Sequence, residues 1–314
     1  MSKKNVELFK SFLNFYFLRP ENALMLTLRS ISYKHSLEFF HNKSIDVCCG
    51  DGVFSFLTLG GKLDKQVDMY QSIKLSNEIV RKIDNYDYYN KEYSIKISNL
   101  PNKKFDTGCD YKINLLKKAK HLNFYKNLFN HNINRKFKLK DKFNFVYSNS
   151  TYWSNNFEKH FNDLVKITNK GGYIVLQVKN DSIFKNYIQS EKYSKIFGDK
   201  FCKIIDAGRK KTWKSLKNYS DILKIIKENK FVDIIDISPV YGNVMPHIWN
   251  FGLRPIFQPL YKMTSKMTKK DRFEIKKELV NITFNMFENY IRNFKPNLYL
   301  KNRDMEYTYI LKKI

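Results

Sequence analysis

The chain has 314 residues, of which 43% are hydrophobic and 16% aromatic, enough to bury one large or two modest cores. This composition excludes a wholly disordered chain and a small disulfide-stapled protein. The 57 basic residues outnumber the 30 acidic ones, giving a net charge of +27, which is typical of proteins that bind nucleic acid or another anionic surface. Because lysine and asparagine recur along the whole chain, we interpret the charge as compositional bias, with a functional basic face as the alternative.

The cysteines and the N-terminal segment predict a cytoplasmic protein. Cys48, Cys49, Cys109 and Cys202 form no CxxC pair, and a disulfide between the adjacent Cys48 and Cys49 would be strained. A reducing compartment fits this usage. Asparagine and lysine interrupt the apolar run at the N terminus, and no apolar stretch reaches the roughly 20 residues that span a bilayer. We therefore expect no transmembrane segment.

After two N-terminal helices, the first ended by Pro20 and the second over about 23–40, the predicted elements alternate between strands and helices. Residues 44–49 form a short apolar strand that runs into a glycine turn and a helix over 53–59. Residues 62–105 show no clean period and predict an irregular, partly helical insertion. The strands predicted after it are 105–110, 123–129, 143–148, 173–178, 231–240 and 306–312, and the helices are 115–122, 157–168 and 219–229. Residues 169–172, with two glycines, are predicted to cap the helix over 157–168.

This alternation predicts an α/β fold, with a Rossmann-like, mostly parallel seven-stranded sheet and helices on both faces. N-terminal helices and a helical C-terminal insertion would be added to it. The predicted division is an N-terminal helical segment at 1–40, a core at 41–240 with an insertion at 62–105, a helical cap at 241–302 and a closing strand at 303–314.

The glycine turn is the first candidate site. Ile45 begins the sequence IDVCCGDG, a strand that enters the turn Gly50-Asp51-Gly52. In parallel sheets ligands bind beyond the carboxyl ends of the strands, and glycines allow a ligand to approach the backbone. The turn has neither the GxGxxG dinucleotide pattern nor the GK[ST] of a phosphate loop. Asp46 and Asp51 flank it, so a ligand with an amino group and a positive sulfur fits better than NAD or ATP.

Four ordered blocks between residues 44 and 178 resemble class I S-adenosyl-L-methionine (SAM)-dependent methyltransferases. SIDVCCGDG is similar to their first motif, hxDxGxGxG, and GCDYKINLLKKA to their second. FNFVYSNSTYW is similar to the fourth-strand motif, and FNDLVKITNKGGYIVLQV to the following helix, glycine pair and strand. The chain departs from the pattern at Cys48, which takes a glycine position. The gap from Gly52 to Asp110 also exceeds the expected ~20 residues, so Asp68 is an alternative to Asp110.

The resemblance implies SAM as cofactor and methyl transfer as the activity. Asp110 would accept the ribose hydroxyls, Tyr111 would lie against the adenine, and Asn130 falls near the adenine amine. The implied cofactor-binding residues are Asp46, Cys48, Gly50, Asp51, Gly52, Asp110, Tyr111, Asn130, Ser148, Asn149 and Ser150.

The sequence indicates the residues that would contact the methyl acceptor less clearly than those that would bind the cofactor. The candidates for substrate contact are Tyr88, Tyr152, Trp153, Arg209, His247 and Trp249. Asp206 and His160 are further candidates for a base, although we interpret His160 as a surface residue. No HxxxH or carboxylate cluster indicates a metal.

The expected acceptor is a small molecule or a sugar- or lipid-linked compound. The turn after the fourth strand reads SNSTYW and lacks the Asp/Asn-Pro-Pro-Tyr motif of enzymes that methylate nucleic-acid amines. Residues 62–105 and 241–302, both rich in aromatics, are expected to roof the pocket. The alternatives are an RNA-binding or RNA-modifying methyltransferase that uses the basic surface, and a non-catalytic methyltransferase-like protein.

Overall fold

The chain forms one seven-stranded sheet covered by helices on both faces. The computed structural model describes residues 2–70, 86–137, 139, 141–185, 191–206, 212–213, 216–251, 257–295 and 304–314. The helices are α1 (Ser2–Phe15), α2 (Pro20–Lys34), α3 (Val53–Thr58), α4 (Ile113–Lys120), α5 (Phe157–Ile167), α6 (Ser182–Lys185), α7 (Glu191–Asp206, interrupted at Gly198), α8 (Tyr219–Lys227), α9 (Met245–Phe251), α10 (Phe257–Ser265) and α11 (Lys269–Asn293). The strands are β1 (Ser44–Val47), β2 (Lys62–Leu63), β3 (Ile97–Asn99), β4 (Thr107–Asp110), β5 (Asn127–Asn130), β6 (Phe143–Ser148), β7 (Thr168–Lys179), β8 (Val232–Pro239) and β9 (Glu306–Lys313).

The strand order in the sheet is β5-β4-β1-β6-β7-β9-β8. From β1 the chain builds outward through β4 and β5, and then returns to the other side of β1 with β6. The first five strands of this order, β5, β4, β1, β6 and β7, are parallel, whereas β9 lies antiparallel between β7 and β8. The predicted Rossmann-like, mostly parallel sheet is therefore confirmed. The switch point between β1 and β6 is where ligands bind in such sheets.

Two hydrophobic clusters cover the two faces of the sheet. Successive strand residues point to opposite faces, so Val146 joins one cluster while its neighbours Phe145 and Tyr147 join the other. The cluster that contains Phe145 is built from α1, α2, α3 and the C-terminal helices α9 to α11. The opposite cluster is built from α5 and α8, which pack on β1 through Ile45 and Val47. Among the described helices, none is long and apolar enough to cross a membrane.

The glycine pair after α5 was predicted wrongly as a helix cap. Thr168 is already extended, with φ −89° and ψ 138°, and it pairs with Phe143 as the first residue of β7. The register shifts before the next pair, Phe145 with Tyr173. The glycines therefore belong to an irregularity within a long strand, where Gly171 has a φ of +77°. Pairing with β6 overrides the local capping preference.

Other boundaries moved by a few residues. Strand β5 begins at Asn127, four residues after the predicted start. Pro20 begins α2 as its first residue, where its missing N–H costs nothing. In the insertion at 62–105, the described residues include a short antiparallel pair, β2 with β3, and residues 71–85 lie outside the description.

Candidate functional site

The glycine turn lies at the carboxyl end of β1, at the switch point of the sheet. Strand β1 is buried along its whole length and ends at Val47, and α3 starts at Val53. Between them Cys48, Gly50 and Gly52 all have left-handed backbones, with φ of 63°, 59° and 76°. This conformation favours glycine because it has no Cβ, so Cys48 is strained where the other two are not.

The N–H groups of the turn are already satisfied within the protein. Their donor–acceptor distances are 3.1 Å from Gly50 to Asp110 Oδ2, 3.4 Å from Asp51 to Tyr86 Oη, 3.0 Å from Gly52 to the Cys49 carbonyl and 3.1 Å from Val53 to Asp51 Oδ1. A phosphate site needs such N–H groups to point at the ligand. The turn is therefore not arranged as a phosphate-binding loop.

Asp46 is a buried acid beneath the turn. Its Oδ2 accepts hydrogen bonds from Ser55 Oγ at 2.6 Å and from Tyr125 Oη at 2.7 Å. Burial raises the pKa of Asp46 to about 6, against the lowering effect of these two hydrogen bonds. Tyr125 also packs against Gly52, where a Cβ would lie only 2.8 Å from its ring. Asp46 thus fixes the turn from below through Ser55 and Tyr125.

Asp51 and Asp110 place two more buried carboxyls at the turn. Burial raises the pKa of Asp51, and the Lys118 ammonium opposes that shift. Burial also raises the pKa of Asp110, whose two oxygens accept from different backbone groups, Gly50 at 3.1 Å and Lys112 at 2.8 Å. With Asp46, three carboxyls converge on one turn.

Asp110 and Asp68, the two candidate acids, lie in different surroundings. Asp110 ends β4, the neighbour of β1, and bonds directly to the glycine turn. Asp68 Oδ1 instead accepts from the Tyr70 N–H and from Arg272 of α11, both at 2.7 Å. These bonds tie Asp68 to α11, whereas Asp110 is tied to the glycine turn.

The residues after β4 and β5 form an open shelf beside Asp110. Tyr111 is 50% exposed, which leaves its ring accessible. Asn130 Nδ2 donates to the carbonyls of Asp110 and Tyr111 at 3.1 and 2.7 Å, and so braces the loop that carries both. The His131 N–H also donates to the Asp110 carbonyl, at 3.0 Å.

The carboxyl end of β6 carries buried hydroxyls that find no hydrogen-bond partner among the described residues. Ser148 pairs with Val47 of β1 and is fully buried. Its Oγ, like Thr151 Oγ1, has no hydrogen-bond partner within the described part of the chain. Ser150 Oγ donates to Asn149 Oδ1 at 2.9 Å. Unpaired buried hydroxyls are costly, so Ser148 and Thr151 mark a place where a ligand can supply the missing bonds.

Aromatic rings adjoin these hydroxyls. Tyr152 meets Trp213 edge-on at 5.1 Å, and Trp213 stacks on Trp249 of α9 at 6.2 Å. Trp249 Nε1 donates to Asn22 Oδ1 at 3.1 Å, which ties α9 to α2. Trp153 is 45% exposed and lies outside the stack, 5.5 Å from Tyr152. Trp249 therefore brings the 241–302 segment to the end of β6.

A buried ionic group lies behind this aromatic stack. The Glu306 carboxylate of β9 accepts hydrogen bonds from Nε and a terminal nitrogen of Arg29, at 2.7 and 2.8 Å. It also forms an ion pair with Lys179. Tyr241 Oη donates to Glu306 at 3.1 Å. The two cations hold the pKa of Glu306 at about 2, against its burial. Lys179 also lies 4.7 Å from the Tyr152 ring, which links the group to the site.

The remaining candidates for substrate contact or for a base differ in burial and position. Tyr88 and His247 are half-buried, and Asp206 is the last residue of α7. Arg209 lies outside the described residues. His160 was wrongly interpreted as a surface residue, because it is only 1% exposed. Burial lowers its pKa to about 3, so its imidazole is neutral on the buried face of α5.

The structure adds residues that the sequence did not single out. Tyr16 follows α1, and burial, together with the charge of the Asp51 carboxylate, raises its pKa. Ser55, Tyr86, Lys118 and Tyr125 also contact the turn or its acids. All are polar residues whose position depends on long-range packing. Within the described ranges, no group of three or more His, Cys, Asp or Glu residues could hold a metal ion.

The chain is similar to known proteins in its fold and hardly at all in its sequence. No protein-family model matches the chain, and no curated protein matches it. Similar solved structures include a SAM-dependent methyltransferase from Thermotoga maritima, with 10% identity over 98% of this chain and 99% of that one and a TM-score of 0.42. The N-methyltransferase NodS from Bradyrhizobium japonicum has 10% identity over 71% and 88%, with a TM-score of 0.38. Phosphoethanolamine N-methyltransferase 2 from Haemonchus contortus, solved with SAM, has 12% identity over 90% and 52%, with a TM-score of 0.44.

These likenesses carry no argument about chemistry. The Rossmann-like, mostly parallel sheet expected from the sequence is present: six of its seven strands run in one direction, and β9 is inserted antiparallel.

Proposed function

We propose that this chain is a SAM-dependent methyltransferase that binds SAM at the glycine turn and methylates a small-molecule or sugar- or lipid-linked acceptor. One observation carries the proposal. Three buried carboxyls, Asp46, Asp51 and Asp110, converge on a turn whose own N–H groups are all occupied. Such a turn offers acceptors and negative charge, and it offers no donor to an anion.

The chemistry of this donor set fits SAM and opposes nucleotide phosphates. An ionised carboxylate only accepts hydrogen bonds, so it suits the ammonium and the ribose hydroxyls of SAM, and its charge suits the sulfonium. Phosphates would meet the same carboxylates as like charges, which repel. Asp110 and the exposed ring of Tyr111 are adjacent, so one can bind the ribose and the other the adenine.

Each residue has a definite task in this proposal. SAM supplies a methyl group on a positively charged sulfur, which is a good leaving group. Asp110 accepts the ribose hydroxyls, and Asn130 braces the loop that holds Asp110 and Tyr111. Asp46 keeps the turn in shape through Ser55 and Tyr125. These residues bind and orient, and none of them needs to exchange a proton.

The acceptor would bind at the carboxyl end of β6, between the turn and the aromatic stack. Ser148 and Thr151 have buried hydroxyls ready for a polar acceptor, and Tyr152, Trp213 and Trp249 form an apolar wall. Holding two reactants in line contributes up to about 7–11 kcal/mol to a displacement. A wall of rings with buried hydroxyls suits a small or tethered acceptor better than a duplex.

The test is transfer of a labelled methyl group. Purified protein is incubated with SAM that carries a deuterated methyl group and, in separate reactions, with the small-molecule, lipid and RNA fractions of a cell extract. Mass spectrometry should find the label in the small-molecule or lipid fraction, and Asp110→Asn should reduce it. Label in RNA alone would contradict the acceptor class. Absence of label from all fractions would contradict the enzymatic assignment.

A further inference from the structure

Helix α7 exposes an apolar side chain between lysines. In the turns after the interruption at Gly198, Ile205 is buried, whereas the adjacent Ile204 is 52% exposed. Lys200 and Lys203 are exposed as well. Because Lys203 and Ile204 follow Lys200 by three and four positions, all three lie on the same side of the helix. This outer side therefore offers a large apolar group flanked by two positive charges.

The turns of α7 before Gly198 are exposed in a similar way. Lys195, Ile196 and Phe197 are exposed in succession, with Ile196 63% and Phe197 46% exposed. The Phe197 ring lies 4.8 Å from the Phe201 ring across the interruption, and part of it still reaches the surface. Both halves of α7 thus carry a large apolar side chain beside a lysine at the surface of the protein.

The sequence around α7 is more basic than the rest of the chain. Residues 195–217 contain eight basic and two acidic residues, Asp199 and Asp206. Their net charge is +6 over 23 residues, against +27 over the 314 residues of the whole chain. The compositional bias of the chain alone does not account for this local excess.

Exposed isoleucines among lysines fit an anionic lipid surface. Lysines are attracted to the headgroups of such a surface, and apolar side chains enter the boundary between headgroups and acyl chains. RNA fits this surface less well, because proteins bind single-stranded RNA by stacking bases on aromatic rings and by hydrogen bonds to base edges. Ile196 and Ile204 offer neither a stacking plane nor a hydrogen bond.

The position of α7 connects it with the aromatic wall of the acceptor site. Before α7, β7 ends at Lys179, which lies 4.7 Å from the Tyr152 ring, and Phe184 of α6 lies 6.4 Å from Trp213. After α7, Trp213 itself meets Tyr152. The seven steps of the chain from Asp206 to Trp213 span at most about 25 Å. A surface that binds α7 therefore lies within a short distance of the place proposed for the acceptor.

We propose that the exposed side of α7 docks on an anionic lipid surface, and that the methyl acceptor is a lipid-borne compound presented at this surface. The second part rests on the proposed function, whereas the docking does not involve the cofactor. Ile196 and Ile204 enter the boundary between headgroups and acyl chains. Lys200 and Lys203 stay with the phosphates of the headgroups.

The experiment is sedimentation of the full chain with lipid vesicles. Wild type should bind vesicles of phosphatidylcholine mixed with phosphatidylglycerol, and bind vesicles of phosphatidylcholine alone much more weakly. Each lysine near an anionic surface contributes roughly fivefold to binding, so Lys200→Gln/Lys203→Gln should weaken it roughly 25-fold. Ile196→Ser/Ile204→Ser should weaken it by about tenfold or more.

Two double variants at other exposed positions serve as matched controls. Lys224→Gln/Lys227→Gln removes two lysines three positions apart on α8, and Ile282→Ser/Met286→Ser removes two exposed apolar side chains on α11. Both should bind the mixed vesicles as wild type does. Failure of wild type to bind these vesicles, full binding by either α7 variant, or equal losses in the controls would overturn the docking.

Two further measurements separate the docking from the proposed function. The affinity for S-adenosylhomocysteine without vesicles should be the same in wild type and in both α7 variants. No binding of S-adenosylhomocysteine by any of them would overturn the proposed function and leave the docking intact. With labelled SAM and vesicles that contain extracted cell lipids, the α7 variants should transfer less label to lipid than wild type. Label in water-soluble compounds alone would overturn the lipid-borne acceptor.

Discussion

Replacing Asp110 with asparagine tests the cofactor site with a change of almost no volume. The carboxylate uses one oxygen for the Gly50 N–H, at 3.1 Å, and the other for the Lys112 N–H, at 2.8 Å. Asparagine has a single acceptor oxygen, so its amide NH₂ must face one of these two N–H groups. Donor would then face donor at the turn or at the start of α4.

The loss of one acceptor oxygen sets the expected change in free energy. A buried N–H left without an acceptor costs about 1–3 kcal/mol. That cost lowers the free energy of unfolding, and the ribose hydroxyls that lose the same carboxylate acceptor in our proposal lower the binding free energy by a similar amount. The affinity for S-adenosylhomocysteine should fall roughly 5- to 150-fold.

Asp68→Asn is the matched control for this measurement. Asp68 is also a buried acid that accepts a backbone N–H two residues on, from Tyr70, but its other partner is Arg272 of α11. We expect Asp68→Asn to lower the free energy of unfolding and to change the affinity by less than about threefold, since it does not bond to the turn. Calorimetric titration gives the affinities of the two variants, and urea titration gives their free energies of unfolding. Equal losses of affinity in the two variants, or a larger loss in Asp68→Asn, would refute the assignment of Asp110.

Two further predictions concern the turn itself. Cys48→Gly should raise the free energy of unfolding by about 0.5–1 kcal/mol in urea titrations, because a left-handed backbone at φ 63° strains cysteine and not glycine; a loss of stability would contradict this. The pKa of Asp46 is raised from 3.8 to about 6 in the fold, so the folded state binds more protons than the unfolded state between these values. The unfolding free energy of wild type should therefore fall, relative to Asp46→Asn, by about 2–3 kcal/mol as pH rises from 4 to 7, and a pH-independent difference would argue against a buried, proton-holding Asp46.

The sheet and the glycine turn could be predicted because their signals are local. Strand β1 is a short apolar run followed at once by Gly50, and both features lie within ten residues. Asp110 could be predicted in the same way, since it ends a strand and precedes a helix. The position of β9 between β7 and β8 could not, because pairing between strands so far apart in the chain leaves no local signal in the sequence.

The partners of the turn are hidden from the sequence because they come from far along the chain. Tyr125 bonds to Asp46 across 79 positions, and Tyr86 bonds to Asp51 across 35. Neither tyrosine has a periodic or motif signal. Arg29 and Glu306 form a buried pair across 277 positions, and only the packing of α2 on β9 brings them together.

His160 shows a signal that was present and was misinterpreted. It lies three residues after Phe157 and four before Leu164, which are both on the buried face of α5. Helical spacing therefore places its side chain on that face. Its polarity suggested the surface, but a neutral imidazole packs in a core at the cost that its lowered pKa reflects.

The central claim is that the acidic turn selects a cationic, hydroxyl-bearing ligand over a phosphate-bearing one. Calorimetry of the purified chain with SAM, S-adenosylhomocysteine, ATP and NAD tests it most directly, since all four carry adenine on a ribose. The account predicts that SAM and S-adenosylhomocysteine each bind at one site per chain, and that ATP and NAD give no heat at matched concentrations. Binding of ATP or NAD more tightly than SAM, or binding of neither SAM nor S-adenosylhomocysteine, would contradict it.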